Sequence, residues 1–153
     1  MRVKIGKYPT HRFYHNFLYD KFGYAPTQNV EVKIDEWDTW NMDETMAHII
    51  LPMLKQLRKK KHSYPSSLPN EAAWNDIVDK MIFSFSSKLN DWEDQFHSGV
   101  QDIEWVDNKD GTSSMEKGPN DTYKIDVEGM KAYQSRIDEG FLLFGKYYEN
   151  LWD

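Results

Sequence analysis

The residues best suited to chemistry in this chain stand where carboxylates meet tryptophans. The run Asp35-Glu36-Trp37-Asp38-Thr39-Trp40 leads directly into a helical pattern that carries Asp43, Glu44 and His48. Glu44 and His48 are one helical turn apart, so a carboxylate and an imidazole can face each other there, share a proton or orient a ligand. Carboxylates at a helix start are also favoured by the helix dipole, so capping explains part of the cluster without any ligand. On an extended segment Trp37 and Trp40 would point to opposite sides, one anchored in the core and the other free to stack a base or hold a cationic ring. Trp92-Glu93-Asp94 and Asp102-Ile103-Glu104-Trp105 repeat the acidic-aromatic mixture and are expected on separate faces.

His11 and His15 are four apart and on a helix could share one metal ion, but no adjacent residue supplies a third ligand. Two surface histidines are the simpler reading, and no metal or cofactor is expected. With no cysteine in the chain, thiolate nucleophiles, disulfides and thiolate metal sites are excluded. There is no Gly-x-Ser-x-Gly elbow, Walker loop, dinucleotide fingerprint or His-Glu-x-x-His pair. A non-enzymatic role fits that pattern best.

These residues need elements to position them. Val3 and Ile5 alternate with Arg2 and Lys4 as in a short strand, and Val30, Val32 and Ile34 alternate with Glu31, Lys33 and Asp35 as in a second. Between them Thr10 could cap a short helix carrying Phe13, Phe17 and Leu18 and ending before Gly23. Asn41 followed by Glu44 resembles a capping box for a helix with an apolar stripe at Met46, Ile49, Ile50, Met53, Leu54 and Leu57. Pro52 should kink it, and Arg58-Lys59-Lys60-Lys61 closes it in keeping with the dipole. His62 to Pro69 reads as a loop. Asn70 caps a second helix with Trp74, Ile77, Val78, Met81, Ile82 and Phe85 inside, continuing or restarting through Leu89, Trp92 and Phe96.

Residues 100–106 and 122–125 look like paired strands joined by a long polar connection from Asp107 to Asp121. Asp126 caps a last helix with a stripe at Met130, Tyr133, Ile137, Phe141, Phe144, Tyr148 and Leu151, where Gly140 and Gly145 suggest close helix packing. The expected fold is α+β: one domain over 1–153, a small, mainly antiparallel sheet packed against three or four helices.

The totals set outer limits. A chain of 153 residues is long enough for its own core. The net charge of −6 argues against duplex binding, which needs clustered cations. No signal-peptide-like start and no apolar run near the ~20 residues of a membrane span is visible. Aromatic residues make up 15% of the chain and are expected chiefly in the core.

Val32-Lys33-Ile34-Asp35-Glu36-Trp37-Asp38-Thr39-Trp40-Asn41-Met42-Asp43, continuing through Ala47-His48-Ile49-Ile50-Leu51-Pro52-Met53-Leu54-Lys55-Gln56-Leu57, resembles a family of uncharacterised proteins from tailed bacteriophages, marine ones among them. Gly118-Pro119-Asn120-Asp121-Thr122-Tyr123-Lys124-Ile125-Asp126 and the ending Leu143-Phe144-Gly145-Lys146-Tyr147-Tyr148-Glu149-Asn150-Leu151-Trp152-Asp153 are similar too. The resemblance implies a phage accessory protein in the host bacterial cytoplasm, of a kind that often counters host defence, and it carries no residue roles. The leading expectation is an oligomeric binding protein for a small nucleotide-like ligand. Trp37 or Trp40 would stack, Asp38 and Asp43 would accept from base or ribose, His48 would orient, and Lys124, Arg136 or Lys146 would meet phosphates. The alternatives are a module that inhibits a host enzyme through its acidic-aromatic surface, and a metal-dependent hydrolase using His11, His15 and nearby carboxylates.

Overall fold

A computed structural model describes residues 1–6, 13–25, 27–60 and 63–152. The expected roles of Thr10, His11, Lys61 and His62 lie outside the described residues. The fold is α+β: four α-helices among the described residues, with short antiparallel strand pairs. The chain divides into two compact units, Met1–Thr45 and Met46–Asp153, the boundary falling within the first turn of a helix.

The first unit holds β1 (Arg2–Ile5), α1 (Phe13–Phe22) and β2 (Val30–Lys33), then a 3-10 turn over Glu36–Thr39. β1 and β2 are antiparallel with Val3 opposite Val32 and Ile5 opposite Val30. This is the alternation read from the sequence, so one face of the ribbon is aliphatic and the other carries Arg2, Lys4, Glu31 and Lys33. None of the described residues of this unit is buried.

The second unit contains the core. α2 (Met42–Lys59), α3 (Glu71–Ser87) and α4 (Val127–Lys146) contribute Ala47, Leu51 and Leu54, then Trp74, Val78, Met81 and Phe85, then Ile137, with Tyr147 just past the end of α4. Asn70 and Asp126 cap α3 and α4 as expected, accepting from the Ala73 and Gly129 amides at 2.9 Å each. The α2 seam differs from the expected stripe. Ala47 and Leu51 are buried while Met46 and Met53 are exposed, so the inward row of α2 runs through Ala47, Leu51 and Leu54. Pro52 lies on the exposed side and the helix runs through it.

α3 and α4 meet at Gly140. A Cβ there would stand 1.9 Å from Ser84 Oγ and 2.4 Å from the Lys80 carbonyl oxygen. Ser84, fully buried, donates to the Ile137 carbonyl at 2.7 Å across this contact. Gly145, expected to serve the same purpose, has open space around it. Tyr148 is also displaced from its expected core place. The helix gives way to a 3-10 turn over Tyr148–Asn150, which puts Tyr147 inside against Trp74 and leaves Tyr148 66% exposed.

The strands between α3 and α4 are arranged differently from the sequence expectation. After a 3-10 turn over Trp92–Phe96, β3 (His97–Ser98) pairs with β6 (Lys124–Ile125), and β4 (Ile103–Asp107) pairs with β5 (Ser113–Lys117). The polar stretch read as a connection thus contains a strand. Its turn is tighter than expected: Gly111, at φ +85°, receives the chain after a turn closed by its own amide on the Asn108 carbonyl. Between the two ladders, four residues (99–102) face six (118–123), so the return strand carries two extra residues. Asp102 holds that irregular stretch by accepting from the Asn120 amide at 2.9 Å. Antiparallel pairing was expected and is present, among the described residues in three two-stranded pieces and not one sheet.

Candidate functional site

The acidic-aromatic turn folds as a 3-10 helix, and that changes its geometry. Asp35 is its cap: its carboxylate accepts from the Trp37 amide at 3.3 Å, and the Asp38 carboxylate accepts from the Asp35 amide at 2.7 Å. This reciprocal pair is a capping box one step ahead of the Asn41–Glu44 box expected from sequence. Thr39 Oγ1 closes the turn on the Glu36 carbonyl at 2.7 Å. At three residues per turn, residues i and i+3 eclipse. Trp37 and Trp40 therefore lie on one side, stacked at 5.4 Å between ring centroids and 13° between planes. The expectation that they diverge, with one in the core, is overturned; they are 67% and 76% exposed.

Asp38 has a further partner. The Met1 ammonium meets its Oδ1 at 2.9 Å, tying β1 to the turn. The Asp35 amide, and after it the Met1 ammonium, hold the Asp38 carboxyl below its ordinary value of 3.8. Two oxygens thus have structural partners, which reduces what Asp38 can offer a ligand.

The other expected ligand residues lie on separate elements. Asp43 and His48 are exposed on α2, His48 next to the buried Ala47. Lys124 is exposed on β6 opposite Ser98. Arg136, on α4, lies over the Phe83 ring at 3.8 Å, and Lys146 lies 5.2 Å from the Tyr147 ring. These last two cations are engaged with aromatic faces. His15 is half-buried against Tyr14 at 4.6 Å. Among the described residues no group of three or more His, Asp and Glu side chains converges as a metal site would require.

A shallow depression in the second unit, lined by Leu57, Arg58, Trp74, Asn75, Val78 and Trp152 among others, encloses about 10 Å³. That is roughly the space of one water. Arg58 at its rim donates through Nε and Nη2 to the two oxygens of Asp79 at 2.8 and 3.2 Å.

Tryptophan placement departs from the expected aromatic core. Trp74 is buried and Trp92 stacks on Tyr133 at 4.8 Å, but Trp37, Trp40, Trp105 and Trp152 are all at least 66% exposed. Trp105 stands on β4 opposite Met115, itself 60% exposed. Large apolar groups are thus exposed on both units. Sequence reasoning missed the Met1–Asp38 contact, for which no local pattern exists. The common orientation of the two indoles followed from a helix type that its length of four residues did not advertise. No protein-family model matches this sequence, and neither a curated protein nor a solved structure matches the chain.

Proposed function

We propose that this protein is a non-enzymatic interaction module that grips a partner protein through the stacked Trp37–Trp40 pair. The observation that carries the reading is the pair itself: two exposed indoles, face to face, on a turn braced by the Asp35–Asp38 capping box. Their order is fixed before any partner arrives, so little side-chain freedom is lost on binding. Tryptophans are also the residues that most often dominate interface energies. The carboxylates of Asp35 and Glu36 on the same turn favour a partner surface carrying lysine and arginine. In the phage setting that the resemblance implies, the partner would be a host enzyme in the bacterial cytoplasm.

Trp37→Ala and Trp40→Ala are each expected to weaken capture of such a partner by roughly tenfold to a hundredfold, the range of an interface hot spot. Retention of an identified host protein on immobilised wild type and variants, followed by titration with that purified protein, measures this. Equal affinity for wild type and the double variant would end the proposal.

Capture of a nucleotide-like ligand is the second reading, favoured by the open outer face of each indole, which suits a planar base. A slot between the rings is not what supports it. Inserting a base needs about 7 Å between ring planes at ordinary carbon contact distances, and the centroids are 5.4 Å apart. A nucleotide panel that quenches tryptophan fluorescence and raises the melting temperature of wild type but not of Trp40→Ala would favour this reading over the first.

A further inference from the structure

The outer edge of β2 points to an interface that uses none of the Trp37–Trp40 residues and stands independently of the reading above. Among the described residues no third strand joins β1 and β2. The Gly6 amide donates to the Asn29 carbonyl at 2.8 Å, marking that position of the ladder as hydrogen-bonded. Alternation along an antiparallel pair then turns the amides and carbonyls of Glu31 and Lys33 toward β1 and those of Val30 and Val32 away from it. The residues aimed outward are exposed: Val30 55%, Val32 54% and Ile34, the next residue of the alternation, 54%. A two-stranded ribbon is marginal without further strands or a packed face, and an open edge beside aliphatic side chains invites another strand.

The edge is complementary to itself. Run antiparallel to a second β2 about Val32, it sets Val32 against Val32, Val30 against the second copy's Ile34, and Glu31 against the second copy's Lys33. Apolar meets apolar on one face, and two opposite-charge pairs form on the other, related by the two-fold axis. Centring at Val32 also joins positions whose amides and carbonyls point outward, as a ladder requires. The β1 edge has no such match: centred on Val3, it would set Arg2 against Lys4.

We propose that the protein forms a two-fold dimer in which β2 pairs with β2 of a second copy about Val32, making one four-stranded antiparallel sheet from two ribbons. Sedimentation of the full-length chain tests it by charge exchange. Wild type is expected to dimerise. Glu31→Lys opposes two cations at both symmetric positions and Lys33→Glu opposes two carboxylates, so each variant alone is expected to dimerise at least roughly tenfold more weakly. Mixing the two variants restores opposite charges and is expected to give a heterodimer about as tight as the wild-type dimer. Val32→Pro, which removes an outward amide while sparing the ladder to β1, is expected to be monomeric. A wild type that stays monomeric to high micromolar concentration overturns the proposal. So does a mixture that fails to restore association, or a pair of charge variants that dimerise as tightly as wild type.

Discussion

Asp38 and Gly140 show how much can rest on single residues. Asp38 accepts from the Asp35 amide and from the Met1 ammonium, and both favour its charged form. Its pKa is therefore lower folded than unfolded. The stabilisation is fully present above the unfolded value near 3.8 and is lost as pH falls through the lower, folded value. The exciton signal that the stacked indoles give in circular dichroism should fade over that acidic window, and Asp38→Asn, whose Oδ1 still accepts but does not titrate, should lose the pH dependence along with the Met1 ion pair. Gly140 and Gly145 form a matched pair for a second test. Gly140→Ala drives a methyl into Ser84 and the Lys80 carbonyl and is expected to cost about 2–4 kcal/mol in chemical denaturation, because the backbones must separate. Gly145→Ala meets nothing and is expected to stabilise by up to ~1 kcal/mol through helix propensity. Sequence alone suggested close packing for both glycines, since propensity registers a glycine in a helix but not what lies opposite it.

At the scale of elements, periodic patterns were readable and short irregular pieces were not. The α3 stripe from Trp74 to Phe85 and the caps Asn70 and Asp126 are where the sequence placed them, since repeated apolar spacing and a cap residue leave little choice. β5 was missed because Ser113-Ser114-Met115-Glu116-Lys117 offers a single large apolar side chain. Its pairing is imposed by the turn at Gly111 and by Asp102 at the irregular stretch, neither of which is an alternation signal. The same non-periodic devices defeated the reading of Trp37 and Trp40. Gly118 is central to the irregular stretch: a Cβ there would stand 2.5 Å from the Asp102 carboxylate. Gly118→Ala should therefore release the β4–β5 hairpin, raising amide exchange from Ile103 to Lys117 at least roughly tenfold while leaving α3 and α4 protected. Uniform loss of protection across both regions would contradict that local role.

On the scale of the whole molecule, burial is uneven. Buried side chains belong to the second unit, while the first, with no buried residue among those described, presents Val30, Val32, Ile34, Trp37 and Trp40. The sequence announced the fold class and the three long helices but not this division, because alternation and capping signals are the same whether or not a partner surface exists. Opening free energies should follow burial. Native-state hydrogen exchange at low protein concentration is expected to show the slowest amides in α3 and α4 and in α2 from Ala47 onward, with β1, β2 and α1 exchanging orders of magnitude faster. Equal protection in the two units would show that the first is held by more than its own contacts. Candidate-site chemistry was legible only as residue types: the tryptophans and carboxylates were singled out, but their roles as stacked pair and capping box came from the folded turn.

The meeting of α3 and α4 at Gly140 also limits how the second unit can move. Sliding α4 along α3 by one helical turn, about 5.4 Å, would bring Arg136 or Phe144 to the place that only a hydrogen fills, opposite Ser84 and the Lys80 carbonyl. Neither side chain fits there, and the Ser84–Ile137 bond would break in either direction. Shear between these helices is therefore blocked, and the pair behaves as a bolted strut. Rearrangement on binding is left to the segments at its ends: residues 63–69, the hairpin ahead of Asp126, and the 3-10 turn after Lys146.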